Sequence, residues 1–187
     1  KESSIFLSAL TIGMLLIALV YSLSLFLQRR EDIGSLYLSL FCLMAVVRFT
    51  WTEALIEYFL EDPKIIKTEN ILRTGSAASF MMVGLIIAFY RDNFNEAFSK
   101  SFTRLGWMYS TIAMIACFVS PARNVLSAII PIVFMIGMIF VILTLYKISL
   151  NAIKGDKAAQ YAVAGWAVLF SAMTNDFLVG MFQLYEA

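Results

Sequence analysis

Long apolar runs separated by short charged stretches dominate this chain. No charged residue occurs from Ile5 to Leu27, and 23 helical residues rising about 1.5 Å each extend about 34 Å. Because the hydrocarbon core of a bilayer is about 30 Å thick, one such run can cross it. The same interpretation of the other runs predicts six spans, at about residues 5–27, 35–58, 70–90, 105–120, 125–147 and 158–182. The short connections between them predict an all-α, polytopic transmembrane helical bundle, expected to form one domain over residues 1–187.

The composition excludes an ordinary soluble domain. Hydrophobic residues make up 61% of the chain and charged residues only 14%. The formal net charge of +1 gives no electrostatic reason to expect a nucleic-acid partner. Membrane lipid is therefore the expected partner, and a small anionic ligand and a homodimer are further candidates.

The distribution of Lys and Arg predicts the orientation, since cytoplasmic loops retain positive charge. With the N-terminus outside, eight cations fall on the inner side: Arg29, Arg30, Arg91, Lys100, Arg104, Lys147, Lys154 and Lys157. Five fall on the outer side: Lys1, Lys64, Lys67, Arg73 and Arg123. The bias favours an N-terminus outside. Six spans would then return the C-terminus to the outer side, so that a cytoplasmic domain further on would need a seventh helix.

Residues for catalysis are scarce. The chain has no histidine, and its two cysteines, Cys42 and Cys117, lie in apolar runs without the spacing of a metal or redox site. Neither a phosphate-binding glycine loop nor a nucleophile motif is present in the sequence. We therefore expect no cofactor, no metal site and no enzymatic activity in this segment, although the full-length protein could carry a kinase or cyclase domain.

One predicted inner loop, residues 91–104, has an aromatic pattern. Phe94, Phe98 and Phe102 recur every four residues, with charged residues between them. This spacing predicts a short helix lying in the membrane interface. The alternative is a solvated loop that the aromatic rings anchor at the lipid headgroups.

Ionisable residues at membrane depth give the sharpest indication of function. Each centrally placed charge raises the insertion free energy by about 2.5–3.5 kcal/mol and rarely faces lipid. Glu53 follows Arg48 by five residues, about 140° around a helix, so Arg48 needs a partner from another helix, and we favour Asp176. The expected result is an outward-facing polar pocket for an anionic ligand, lined by Arg48, Trp51, Glu53, Arg73, Asn175 and Asp176. Two alternatives stay open, namely a purely structural Arg48–Asp176 pair and a proton or ion path.

The first two spans resemble a known family. Residues 21–27 (YSLSLFL) are followed by Arg30, Asp32 and the Tyr37-Leu38 pair. This arrangement resembles the membrane domain of bacterial seven-transmembrane receptors with diverse intracellular signalling modules. The similarity continues as spacing, through an acidic loop at residues 61–63, the Phe/Arg stretch after the third span and a Lys/Gly loop before the sixth.

The resemblance implies a multi-pass receptor or transmission unit in the bacterial inner membrane. It implies a sensor ahead of the first helix and a signalling output domain after a seventh. The alternative class is a small transporter or channel subunit that uses the intramembrane charges. An integral membrane enzyme acting on lipid is a third interpretation, disfavoured by the absence of histidine.

Overall fold

The computed structural model describes residues 2–52, 68–94, 97–120 and 130–167. Five long helices lie within these ranges: α1 (Glu2–Gln28), α2 (Ile33–Thr52), α3 (Thr68–Asn93), α4 (Lys100–Val119) and α5 (Ile130–Ile153). Residues 157–167 form a further helical stretch. All five named helices are long and apolar enough to cross a bilayer, which confirms the predicted all-α fold class.

Polar side chains fix where two of these helices begin. Asp32 directly precedes α2, and its carboxylate accepts hydrogen bonds from the Ser35 backbone nitrogen (3.1 Å) and the Ser35 hydroxyl (2.6 Å). Ser99 caps α4, its hydroxyl oxygen accepting a hydrogen bond from the Phe102 nitrogen at 3.2 Å. Such caps satisfy backbone N–H groups that have no partner inside the helix.

The Ser99 cap corrects the prediction for the fourth span. That span was expected to begin near residue 105, beyond Lys100 and Arg104, and to be short. Instead α4 begins at Lys100 and has 20 residues. Lys100 and Arg104 therefore lie in its first two turns and not in a loop. Charged side chains at a helix end can extend to the interface while the backbone stays helical.

The chain divides into two compact units, Lys1–Val141 and Ile142–Ala187. In the first unit α1 packs on α2, α2 on α3, and α3 on α4. The helix α3 is central, since 56% of its membrane-spanning stretch is buried within the protein, against 6% for α1. The first four helices thus pack against their neighbours in the chain, as the short connections predicted.

Small residues allow the helices to approach closely. The buried positions on α4 follow a three- and four-residue spacing, at Thr103, Gly106, Ser110, Ala113 and Cys117. A Cβ atom added at Gly84 of α3 would lie 2.7 Å from the Ser110 hydroxyl oxygen. One added at Gly106 would lie 2.7 Å from Cδ1 of Ile87. The α3–α4 interface therefore depends on both glycines.

Aromatic rings in the first half of α4 contact α5 and α3. Phe102 contacts Phe98 and Phe140, with ring centroids 5.9 and 5.7 Å away. Tyr109 contacts Phe140 and Phe80 at 5.3 and 6.5 Å, and its hydroxyl donates a hydrogen bond to the Val133 carbonyl at 2.7 Å. These distances are typical of favourable aromatic pairs.

This aromatic packing contradicts the interfacial helix predicted for residues 91–104. The helix α3 continues to Asn93, residues 94 and 97–99 are not helical, and α4 follows. Phe94 and Phe98 are buried, and Phe94 stacks on Tyr90 with centroids 6.0 Å apart. The four-residue spacing predicted a helix, but the rings are buried in the bundle and do not lie along a membrane surface.

In the second unit, Gly155 and Asp156 form the corner after α5. Gly155 has a φ of +95° and donates its N–H to the Ala152 carbonyl, while the Asp156 N–H bonds to the Asn151 carbonyl. This pair of bonds is a Schellman motif, in which the left-handed position favours glycine. The Asp156 carboxylate then accepts from the Ala158 nitrogen at 2.9 Å and so caps the helical stretch that follows.

Candidate functional site

The predicted outer pocket falls only partly within the described residues. Arg48 lies on α2 with an exposed side chain, and Trp51 lies in the last turn of the same helix. Glu53, Asn175 and Asp176 lie outside the described residues, as does the predicted Arg48–Asp176 pair. The pocket as a whole therefore stays a prediction.

Arg73, the remaining predicted pocket residue, is engaged with the end of α4. Its half-buried side chain donates hydrogen bonds from Nη1 to the carbonyl oxygens of Cys117 (3.1 Å) and Phe118 (2.8 Å). The last carbonyls of a helix lack intrahelical partners and carry the negative end of its dipole. Arg73 thus ties the first turns of α3 to the last turn of α4.

A cavity of about 410 Å³ lies at the opposite end of α3 and α4. Nine residues from α2, α3 and α4 line it: Ile33, Tyr37, Ala88, Arg91, Asp92, Lys100, Thr103, Arg104 and Trp107. Its volume lies within the range of about 300–1,000 Å³ usual for small-molecule sites.

Helical periodicity brings these residues together. On α4, Lys100, Thr103, Arg104 and Trp107 are spaced three, four and seven residues from the first, so they share one face. Arg91 and Asp92 lie in the last turn of α3, and Ile33 and Tyr37 lie one turn apart at the start of α2. Three helix faces thus converge where α3 ends and α4 begins.

The residues that line the cavity carry an excess of positive charge. Arg91, Lys100 and Arg104 outnumber the carboxylate of Asp92, and the positive end of the α4 dipole lies at Lys100. Within the described part of the chain, none of the three cations forms an ion pair or a side-chain hydrogen bond. Among the described residues, no salt bridge has to break before an anion binds these three cations.

Two close contacts shape the surroundings of the cavity. The rings of Tyr37 and Trp107 pack with centroids 6.4 Å apart, which joins α2 to α4. A Cβ atom at the buried Gly34 would lie 2.8 Å from a carboxylate oxygen of Asp92, so the start of α2 approaches the end of α3 closely. In the connection to α1, hydrogen bonds from Ser35 and the charge of Arg29 lower the pKa of Asp32.

The cavity was not predicted from the sequence. Its three cations were counted among the inner positive charges, and the residues between them were interpreted as an interfacial segment. The available signal was the pattern at residues 100, 103, 104 and 107, which places two cations and a tryptophan on one helix face. These four residues share a helix face because α4 begins at Lys100.

The architecture defines the class of protein. Several membrane-length apolar helices, joined by short connections and packed through small residues, make this chain a multi-pass membrane protein. A family model described as 7TM diverse intracellular signalling matches residues 4–186, and the chain belongs to that family. The match confirms the resemblance carried by residues 21–38 and identifies a membrane receptor domain involved in signalling. Comparisons with curated proteins and with solved structures gave no match.

Proposed function

We propose that this domain transmits a signal from an extracytoplasmic sensor, ahead of α1, to a signalling domain on the cytoplasmic side of a bacterial inner membrane. Membership of the 7TM diverse intracellular signalling family supports a receptor role. The excess of Lys and Arg at one end supports an N-terminus outside. The family match extends over residues 4–186 and so includes parts of both compact units, which supports treating the chain as a single domain.

The observation that carries the proposal is the contact between α3 and α4 along their length. Arg73 binds the end of α4, the glycines at 84 and 106 allow close contact in the middle, and Arg91 and Lys100 line the same cavity at the other end. Closely packed helices move as a pair because their interface is not continuously deformable. A displacement at one end of this pair would therefore reach the other.

The contact between Gly106 and Ile87 offers a mild test of this transmission. Gly106→Ala places a methyl group against Cδ1 of Ile87, so either the helices or the isoleucine side chain must shift. Ile87→Val removes that Cδ1 and should restore the fit. We expect Gly106→Ala to change the signalling output of the full-length protein at equal abundance in the membrane, and the double variant to return it towards the original level.

Gly13→Ala is the matched control, because nothing lies within 4 Å of a Cβ atom there. Its output should equal that of the unsubstituted protein. An output that Gly106→Ala leaves unchanged, or that Gly13→Ala changes equally, would contradict transmission through α3 and α4. Solute flux through proteoliposomes containing the chain would instead favour the transporter alternative.

The outward-facing pocket remains part of the proposal, with Arg48, Glu53, Arg73 and Asp176 as its charged members and a small anion as its ligand. Removing one member of an ion pair leaves an uncompensated charge, whereas replacing both does not. Asp176→Ala should therefore lower the unfolding temperature more than the combined Arg48→Met and Asp176→Leu change. An equal decrease in unfolding temperature in the single and the combined variant would contradict the pairing of Arg48 with Asp176.

A further inference from the structure

We propose that the cavity at the junction of α2, α3 and α4 binds a phosphate group, in the form of an anionic phospholipid headgroup or a soluble phosphate. This inference goes beyond signal transmission and does not depend on it. The site would be built by Arg91, Lys100 and Arg104 with Thr103, Tyr37 and Trp107 around them.

The charges favour phosphate over a neutral ligand. Lys100 and Arg104 lie one turn apart on α4, where like charges repel each other, and Arg91 adds a third cation from α3. An anion placed among them relieves this repulsion. Arginine offers a planar fork of N–H donors suited to phosphate oxygens, and lysine offers a compact charge beside it.

The position in the fold supports the same ligand class. The N-terminus of α4 lies at the cavity, and helix N-termini attract phosphate through their N–H groups and dipole. The N-outside orientation predicted from the Lys and Arg distribution would place this cavity on the cytoplasmic side, where basic pockets between transmembrane helices are suited to phospholipid headgroups. Tryptophan and tyrosine favour the depth of those headgroups. At about 410 Å³ the cavity has room for a phosphate together with an attached glycerol group.

Trp107 supplies a direct measurement. The chain has three tryptophans, so Trp51→Phe and Trp166→Phe leave Trp107 as the only one. The purified chain in a neutral detergent would be titrated separately with phosphatidylglycerol, with the zwitterionic lipid phosphatidylcholine and with inorganic phosphate, while Trp107 fluorescence is recorded. We expect a saturable change with phosphatidylglycerol or inorganic phosphate that weakens in high salt, and a much smaller change with phosphatidylcholine.

Arg104→Gln should weaken the binding about tenfold or more, because it removes a charged donor from the site. Arg30→Gln is the matched control, since Arg30 is an exposed cation in the α1–α2 connection that does not line the cavity. Thermal unfolding of both variants checks that they fold. Should Arg104→Gln unfold, Lys100→Gln takes its place in the same comparison.

The titrations also distinguish the two sources of phosphate. Binding of phosphatidylglycerol without inorganic phosphate would assign the site to a lipid headgroup, and binding of inorganic phosphate alone would assign it to a soluble ligand. Competition between them would support one shared phosphate site. Equal responses to phosphatidylglycerol and phosphatidylcholine, no saturable response to any of the three, or equal effects of Arg104→Gln and Arg30→Gln would overturn the proposal.

Discussion

The helices α1 and α3 are both long enough to span a bilayer, yet they have opposite surroundings. The more hydrophobic helix, α1, is the less buried, and among its residues 9–28 only Ser22 is buried. By contrast, α3 is less hydrophobic and packs against both α2 and α4. In lipid, apolar side chains gain little by turning inward, so small and weakly polar residues can share the interior with large apolar ones such as Leu85 and Ile87. The mean hydropathy of a helix therefore does not indicate how deeply that helix is buried in the bundle.

The contrast between the two helices can be tested by replacing one glycine in each with leucine. The largest loss of stability is expected for the glycine in α3. Gly84→Leu puts a bulky side chain where even a Cβ atom would lie 2.7 Å from the Ser110 hydroxyl oxygen. We expect it to destabilise the bundle by about 3 kcal/mol through overpacking. Thermal unfolding in detergent, followed by a fluorogenic thiol dye that reacts with the buried Cys42 and Cys117 on exposure, would measure the loss.

Gly13→Leu is the counterpart on α1. Nothing lies within 4 Å of a Cβ atom at Gly13, so the substitution should be neutral or stabilise the helix by up to about 1 kcal/mol. Equal destabilisation by the two leucines would show that α1 is as tightly enclosed as α3, and the contrast between the helices would disappear.

An intermediate loss of stability is expected when the hydrogen bonds from Arg73 of α3 to the end of α4 are removed. Arg73→Met removes the hydrogen bonds to the carbonyl oxygens of Cys117 and Phe118 and leaves these acceptors without that donor. We expect a loss of about 2 kcal/mol in the same unfolding assay. Arg73→Lys retains the charge but not the fork of donors, so its stability should fall between those of Arg73→Met and the unsubstituted protein. A fully stable Arg73→Met variant would show that α4 ends independently of α3.

The smallest effect is expected in the connection between α1 and α2. Hydrogen bonds from the Ser35 hydroxyl and backbone N–H lower the pKa of Asp32 below its usual value of 3.8. A lowered pKa stabilises the fold fully above the unfolded value, and this contribution is lost as the pH falls through the folded pKa. Unfolding temperatures measured from about pH 5 to about pH 3 should therefore fall more for the unsubstituted protein than for Asp32→Asn.

Asparagine can still accept a capping hydrogen bond but does not titrate in this range, so Asp32→Asn isolates the charge. Asp32→Ala removes the cap as well and should cost about 1 kcal/mol. If the unsubstituted protein and the Asp32→Asn variant gave identical pH profiles, the carboxylate would make no titrating contribution to stability.

The sequence predicted the features that depend on one helix at a time. Uninterrupted apolar runs located the long helices, because crossing a bilayer requires a fixed length of apolar residues. The predicted start of α4 was wrong since Lys100 and Arg104 were interpreted as loop residues, although the Ser99 cap begins the helix before them. Phe94 and Phe98 were misplaced because a spacing of four does not tell which surface covers the rings.

The sites depend on several helices and were harder to predict. The acceptors for Arg73 are backbone carbonyls, which carry no signature in the sequence. The cavity requires the end of α3 and the start of α4 to meet α2, a convergence that no single periodic pattern contains. The sequence showed that the three cations belong to the inner group of positive charges. It did not show that they line one cavity.

The corner at Gly155 and Asp156 has a consequence for biosynthesis. Its hydrogen bonds join only residues 150–160, and Gln160 adds a side-chain bond to the Ala152 carbonyl at 3.2 Å. The corner can therefore close as soon as residue 160 has left the ribosome, and it needs no other helix as a template. The hydrogen bonds that turn the chain at this step of membrane insertion are thus encoded locally, whereas the burial of Ala159 is completed by packing.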